Sequence, residues 1–576
     1  MSRKVVSYLN AWLFATGIGL FLEIGRGETI SCKPALGDLE WPSQDKWAAL
    51  NASVGGRLIQ SVPLATVCHG KEYREKSCKQ LQESWIYAAP HIEDPSSIYS
   101  PFWLNNSCSP FTSKNASCTL GNLVTYTINV SSAADVIKGL QFAKETGVRL
   151  VVKNTGHDFL GRSTGRYGLG LWMHHLKNVS FLDYDGPEHQ GMAVRIGAGV
   201  EAQELNTACS AQGVRTVTGW CPSVGIAGGY TQGGGHGPLA SAYGLAADNT
   251  LAFEVVTARG EHIIASRSDH AELYWALSGG GAGTYAVVIS QISKVHPDGL
   301  IGGASLTLVH NGSSVFWEEI LPKWQLLLLE LEQLEGFSSG FTATHTTFDI
   351  AFITWPGHTG DEISKQVSPF LRLLDFKGLP YGYTSSTKQS YVDHFANYSP
   401  PDYPDFGVVG GRLIPRTTIR NNSVGIALAI RNITSDSDFT AVGGQVNVSH
   451  AAVGNQPGEN AIIPAWRESL YTLNIVGSWN PTGSIESLQS LQSTMNTNVV
   501  QVLRPLTPGS GSYSNEATFD LPTWKEDFFG ENFERLLKIK NRYDPDGVLY
   551  GPATVGSDKW KVAQDGRLCQ TMNESK

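Results

Sequence analysis

Apolar residues along this chain change their period several times, and each change marks a predicted element. From Ala133 to Thr146 they recur at helical spacing, with Val136, Ile137, Leu140 and Ala143 on one face. Ser131 or Ser132 can cap that helix, and Gly147 stops it. Val148 to Lys153 then forms a short apolar run that predicts a buried strand, giving a β–α rhythm. Between Ala193 and Ile289 short strands alternate with glycine-rich turns, and Leu251 to Thr257 with His262 to Ala265 predicts a hairpin around Arg259-Gly260. From about 300 to 505 the chain mixes amphipathic helical stretches with extended runs. Val315 to Leu334, interrupted at Pro322, is helical in pattern; Val424 to Ile430 and Leu470 to Val476 are extended. Together they predict a sheet covered by helices. A last helix is expected at Asn532 to Lys540, whereas residues 28 to about 118 are loop-rich, and no repeat is visible.

Composition narrows the class. At 576 residues and 41% hydrophobic, the chain is too long for one ordinary core, which implies subdomains or a large fold with an insertion. The net charge is −9 with no basic block, which argues against a nucleic-acid partner. The 62 glycines cluster without a period, as expected where backbone approaches a ligand. Arg3 and Lys4 precede an apolar run from Ala11 to Leu22, the pattern of a secretory leader over about residues 1–25. Sequons at Asn51, Asn105, Asn115, Asn129, Asn178, Asn311, Asn397, Asn421, Asn432, Asn447 and Asn573 point to the same secreted route. Of the eight cysteines, Cys68, Cys78, Cys108 and Cys118 lie close together and suit local disulfides, although spacing alone cannot assign the pairs. The zinc patterns CxxC and HExxH are absent, so no metal is expected.

Three segments carry chemistry. Val151 to Asp158 reads as a strand running into a tight turn, where Gly156 lets a ligand approach the backbone and His157 stands at the tip beside Asp158. Taken alone, such a histidine is more often a hydrogen-bonded loop residue. Gly219-Trp220-Cys221-Pro222-Ser223-Val224-Gly225-Ile226-Ala227-Gly228-Gly229 continues through Gly233-Gly234-Gly235-His236-Gly237 to Asn249. Consecutive backbone N–H groups in such a stretch can hold a pyrophosphate, though a structural crossover would use glycine too. It is neither a GxGxxG nor a Walker loop. Leu273-Tyr274-Trp275-Ala276-Leu277 leads into a third glycine-rich bend, Ser278 to Gly283.

In combination these segments resemble the vanillyl-alcohol-oxidase superfamily of flavoproteins, in particular its berberine-bridge-enzyme-like branch and the secreted fungal, isoamyl-alcohol-oxidase-like members. The resemblance runs from about Leu120 to Ser290 and resumes at Ser512-Tyr513-Ser514-Asn515-Glu516 and at Arg542 to Leu549. It implies an α+β fold: a PCMH-type FAD-binding domain at 119–298, a substrate domain of antiparallel sheet covered by helices at 299–505, and a berberine-bridge segment at 506–576 that returns to the FAD domain. A disulfide-containing extension would occupy 26–118. The resemblance further implies covalent FAD, with His157 bonded to the flavin 8α-methyl and Cys221 to flavin C6, links that raise the flavin's potential. Gly156, Asp158, Val224, Gly225, Gly228, Gly229, Gly233, Gly234 and Asn515 fall in the cofactor-binding positions. Val224, three residues after the cysteine, is the small residue that accompanies oxidase behaviour.

Two departures from the family affect the choice of base. Phe159 stands where plant relatives carry Tyr, and Asn474 where they carry Glu or Gln; neither can accept a proton at ordinary pH. His236 ranks first as replacement because of its near-neutral titration, with Tyr513 second. The expected activity is oxidation of a small alcohol or natural-product intermediate with O₂ as acceptor, in secondary metabolite biosynthesis, with no stable protein partner implied. A dehydrogenase or oxidative cyclase using another acceptor, a non-redox flavin-scaffolded cyclase or isomerase, and a flavin-free carbohydrate-binding protein are the alternatives.

Overall fold

The computed structural model describes residues 31–399 and 407–571, so the expected leader and Asn573 lie outside the described residues. Among the described residues no helix is long and apolar enough to cross a membrane.

The helix Ala133–Thr146 forms over the expected span and ends at Gly147, whose φ of 74° is left-handed. Its start is secured from within: Asp135 accepts from both the backbone N–H and the hydroxyl of Ser131. The strand Arg149–Lys153 follows and pairs in parallel with Gly168–Trp172, which pairs in parallel with Tyr126–Asn129. Leu58–Gln60 adds an antiparallel edge to this first sheet. The N-terminal region is therefore tied to the first sheet, and it is more helical than its loop-like composition suggests, with helices at Gln44–Ser53 and Glu75–Ser84. A second, antiparallel sheet runs in the order Val179–Gly186, His189–Gly197, Ala286–Lys294, Thr250–Thr257, His262–Ser266; its last pair is the predicted hairpin.

A third sheet of seven antiparallel strands occupies the middle of the chain. Its order is Tyr381–Lys388, Ile301–Val309, Thr347–Pro356, Ser338–Ala343, Phe439–Gln445, Ser469–Gly477, Val408–Pro415. Strand alternation sends Tyr471, Leu473 and Ile475 to one face and Thr472, Asn474 and Val476 to the other. The first face packs on helices through Trp317, Trp324, Phe370, Ile426 and Ile430, all buried. Burying side chains of this size stabilises the fold by roughly 1.5–3 kcal/mol each. The second face lines a cavity.

Two middle elements differ from expectation. Val315 to Leu334 is not broken at Pro322; the helical run is continuous, and the wider π-turn at Phe316–Ile320 just before the α-helix Leu321–Leu331 accommodates the proline, which has no N–H to offer the preceding turn. Val424 to Ile430 is not extended but part of the helix Arg416–Thr434. Its Val, Ile and Leu content mimics a strand, yet Ile426, Ala427, Ile430 and Ile433 are buried at helical spacing while Val424 and Leu428 are exposed.

The C-terminal helix Phe533–Tyr543 brings the end of the chain back to the first sheet, where Leu549 bridges Leu150. Buried Lys540 fastens this return, donating to Asp544 and to the carbonyls of Thr284 and Leu549. The local pairs Cys68–Cys78 and Cys108–Cys118 form, and Cys32–Cys569 joins residues 537 apart. Cys209 is a buried thiol whose pKa burial pushes up to about 12. Among the sequon asparagines, Asn51 and Asn447 are committed to internal hydrogen bonds and Asn129 has a buried Oδ1, whereas Asn105, Asn115, Asn178, Asn311, Asn397, Asn421 and Asn432 are exposed.

Candidate active site

The cavity, of about 340 Å³, lies between the first two sheets, the second face of the third, and the returning C-terminal segment. One side is built from the turn after Lys153. Gly156 has a φ of 84°, which an L side chain rarely adopts, and this turns His157 towards the cavity. Asp158 holds the turn shut by accepting from the N–H groups of Leu160 (3.0 Å) and Ser163 (2.7 Å). Burial raises its pKa, opposed by the Arg162 charge and by those hydrogen bonds. Lys153 braces the turn from behind, donating to the carbonyls of His91 (2.9 Å) and Asp94. Burial lowers the Lys153 pKa to about 7.

The second side is the segment from Gly219 to Gly237. Cys221 and Val224 line the cavity together with His157. Ser223 stands between the two reactive side chains, its Oγ 2.8 Å from His157 Nε2 and 3.5 Å from Cys221 Sγ. Burial, with some help from His91, lowers the His157 pKa to about 4, so its imidazole is neutral at pH 7. Gly225, Gly228 and Gly229 also line the cavity; a Cβ at Gly228 would sit 2.4 Å from the Asn154 amide, so this approach requires glycine. Gly233 and Gly234 are set back from the cavity, against Asn515 and against Ile462 and Tyr513 respectively. Asn515 donates to the Gly229 carbonyl (2.7 Å) and to the Tyr513 hydroxyl (2.8 Å), linking the C-terminal segment to the glycine run.

The third-sheet side is nearly uncharged. Gly340, Thr342, Ala351, Val409, Val442, Gly444, Thr472 and Val476 form a flat floor of small side chains, with Trp220 packed against Phe352 as a wall. One ionisable cluster faces the cavity there. His236 Nε2 lies 3.1 Å from Glu516, and Asn474 donates to the same carboxylate at 2.6 Å. His236 Nδ1 accepts from Trp220 Nε1 at 3.3 Å. That pattern assigns the proton to Nε2 and occupies both ring nitrogens. Burial works against ionisation of Glu516, but its contacts with His236 and Asn474 outweigh it, so the carboxyl titrates below its ordinary range. Tyr513 packs edge-on against His236 at 5.1 Å, and burial, then the Glu516 charge, raises its pKa well above the phenol norm. Trp466 closes the other side of His236 and is held by the neighbouring buried pair Arg467–Asp248, 2.8 Å apart.

His157, Cys221, Gly156, Asp158, Val224, Gly225, Gly228, Gly229, His236, Tyr513 and Asn515 thus come together around one cavity. Glu516 ends the Ser512–Glu516 motif, and the sequence signal for its place in the cavity is a carboxylate next to Asn515 in the segment expected to return to the flavin. The residues fit FAD. The cavity runs from a glycine cradle to an apolar floor, His157 and Cys221 open into one wall of it, and the buried oxygens Asn154 Oδ1 and Gln232 Oε1 line it without a protein partner.

The family model described as FAD binding domain matches residues 124–266, and the one described as berberine and berberine like matches residues 512–555. The chain is 40% identical over 544 residues to the FAD-linked oxidoreductase sor8 of Hypocrea jecorina, covering 94% of each chain. It is 39% identical to the VAO-type flavoprotein oxidase VAO615 of Thermothelomyces thermophilus, covering 98% of this chain and 99% of that one. It is also 39% identical to the bifunctional decalin synthase calF of Penicillium decumbens, over 95% of this chain and 97% of that protein. The crystal structure of the VAO-type flavoprotein MtVAO615 from Myceliophthora thermophila superimposes with a TM-score of 0.89 at 38% identity, over 94% of this chain and all of that one.

Proposed function

The chain belongs to the FAD-linked oxidoreductases of the vanillyl-alcohol-oxidase type that carry a berberine-like C-terminal segment, and from that membership we propose that it is an oxidase of small, uncharged alcohols. His157 and Cys221 would each bond the flavin, and the neutral imidazole of His157 suits a nucleophile. FAD bound in the cavity supplies the two-electron acceptor for a hydride from the hydroxyl-bearing carbon, and dioxygen regenerates it with release of hydrogen peroxide.

The observation that carries this reading is Glu516. It is an ionised carboxylate in the cavity wall, held by two donors, in a site where Asn474 stands at the strand position that plant relatives fill with Glu or Gln. Glu516 takes the proton of the substrate hydroxyl. His236 cannot do so while its Nδ1 accepts from Trp220, so it orients Glu516 and steadies its charge. Asn474 fixes the second bracing contact, and Tyr513, a neutral phenol, packs the histidine in place. The floor of Gly, Ala, Val and Thr side chains with no Lys or Arg favours an uncharged, largely apolar substrate body, and Glu516 disfavours an acid. That preference fits a natural-product intermediate, and the disulfides and exposed sequons support a secretory route.

The test is anaerobic mixing of the holoenzyme with a panel of apolar primary and secondary alcohols, followed by admission of oxygen. Bleaching of the flavin with peroxide released on oxygenation supports the oxidase reading. Bleaching with slow reoxidation would make the chain a dehydrogenase. A second reading, ring closure without net oxidation, is favoured by the decalin synthase relative and the apolar floor; product formation without bleaching would identify it.

A further inference from the structure

The two side chains assigned to the cofactor are not isolated from each other, because one hydroxyl contacts both. Ser223 Oγ sits 2.8 Å from His157 Nε2 and 3.5 Å from Cys221 Sγ. His157 and Cys221 line the cavity, whereas Ser223 does not. Its position therefore bears on its two neighbours and not on the substrate. Resting on the covalent-flavin reading above, we propose that Ser223 is the positioning residue for flavin attachment, fixing which nitrogen of His157 forms the bond and carrying away the displaced proton.

A neutral imidazole has one nitrogen with a proton and one with a lone pair, and the hydrogen bond made by the first decides which is which. The proposed attachment starts from the tautomer in which Nε2 carries the proton and donates to Ser223 Oγ, which leaves the lone pair on Nδ1. Nδ1 is the attacking atom. A serine hydroxyl suits this place because it can accept before the reaction and donate after it. In the step itself the flavin 8α-methyl loses one C–H proton, and the electron pair of that bond reduces the isoalloxazine by two electrons. Nδ1 supplies the pair for the new N–C8α bond. The Nε2 proton passes to Ser223 Oγ while the hydroxyl releases its original hydrogen to solvent water, and the hydroxyl then makes a hydrogen bond to the vacated Nε2 lone pair. Dioxygen takes up two electrons and two protons as hydrogen peroxide and returns the linked flavin to its oxidised form. Methyl, imidazole N–H and O₂ thus become methylene-linked imidazole and H₂O₂. Buried surroundings keep His157 neutral across the physiological range, so the lone pair is available throughout.

The experiment uses the Cys221→Ala enzyme, in which only the histidine link can form, and compares it with Cys221→Ala/Ser223→Ala and Cys221→Ala/Ser223→Thr. Full-length proteins are reconstituted with FAD, and three quantities are read: visible flavin absorbance in solution, flavin retained in the acid precipitate, and the mass of the proteolytic peptide containing His157. The expected result is that all three bind flavin in solution, that the alanine variant retains at least tenfold less of it after acid, and that threonine restores retention. Equal retention and equal peptide mass with alanine at 223 would overturn the role of Ser223. Release of flavin by Cys221→Ala alone would instead overturn the histidine link itself. If the alanine variant binds no flavin, Ser223→Cys replaces it, since a thiol of similar size is a weak hydrogen-bond partner; linking as complete as with serine would again refute the proposal.

Discussion

At the scale of single residues, the proposed function divides its labour between a carboxylate base and the neighbours that hold it. Glu516 has two donors, His236 and Asn474, so removing its charge without altering its shape isolates its role. Glu516→Gln is expected to lower kcat by about 10²–10⁴-fold while leaving flavin content unchanged. His236→Gln should cost less and should shift the acid limb of the pH–rate profile upwards, because the His236 contact helps to hold the Glu516 carboxyl below its ordinary range. The sign follows from that direction: the carboxylate is ionised above its depressed pKa, so activity persists to lower pH in the wild type and is lost as pH falls through it. Gly156, His157 and Cys221 stand out in the sequence because they sit in short motifs whose backbone geometry is local, and all three line one cavity. His236 and Glu516 are 280 residues apart, and no local pattern reveals that two such side chains meet or that Trp220 occupies the histidine's second nitrogen.

At the scale of elements, the third sheet separates two jobs by strand alternation, core on one face and cavity floor on the other. That was legible in Leu470 to Val476, which alternates, but not in Val424 to Ile430, where an apolar run of strand-like composition is helical because its buried members recur at every third or fourth place. Gly444 tests the floor. A Cβ there would meet Thr472 at 3.4 Å and His236 at 3.8 Å, ordinary contact distances, so Gly444→Ala is tolerated by the fold. A bulkier Gly444→Val is expected to raise KM for broad substrates several-fold and to leave the flavin spectrum intact, measured by steady-state kinetics across a size series. Between elements, Arg467–Asp248 ties the helical turn carrying Trp466 to the glycine-rich segment. Arg467→Met leaves Asp248 buried without its cation and should destabilise the protein by about 3–5 kcal/mol, read from denaturant midpoints.

For the molecule as a whole, the ends are fastened to each other. Cys32–Cys569 and the Lys540–Asp544 clamp bring the C-terminal segment against the first sheet, where Leu549 and Tyr550 close the cavity. Only the closeness of the four N-terminal cysteines could be read from spacing; a link across 537 residues has no sequence signature. Acid should weaken the fold for a stated reason. His91 and His394 are buried, and burial lowers their pKa to about 4 and about 3, against an ordinary 6.5. Between these values the unfolded chain binds protons that the folded chain refuses, so stability falls as pH drops from about 6.5 towards 4. Thermal unfolding followed across that range should give a Tm that declines steadily, and a flat profile would contradict the neutral buried state of both histidines.

Acid precipitation tests whether the flavin is held by the two side chains that contact Ser223, His157 and Cys221. Wild type, His157→Ala, Cys221→Ala and the double variant are precipitated, and the pellet is examined for yellow flavin absorbance. Flavin retained by the wild type and by each single variant, and lost only from the double variant, is the expected result. A colourless wild-type pellet would contradict covalent attachment.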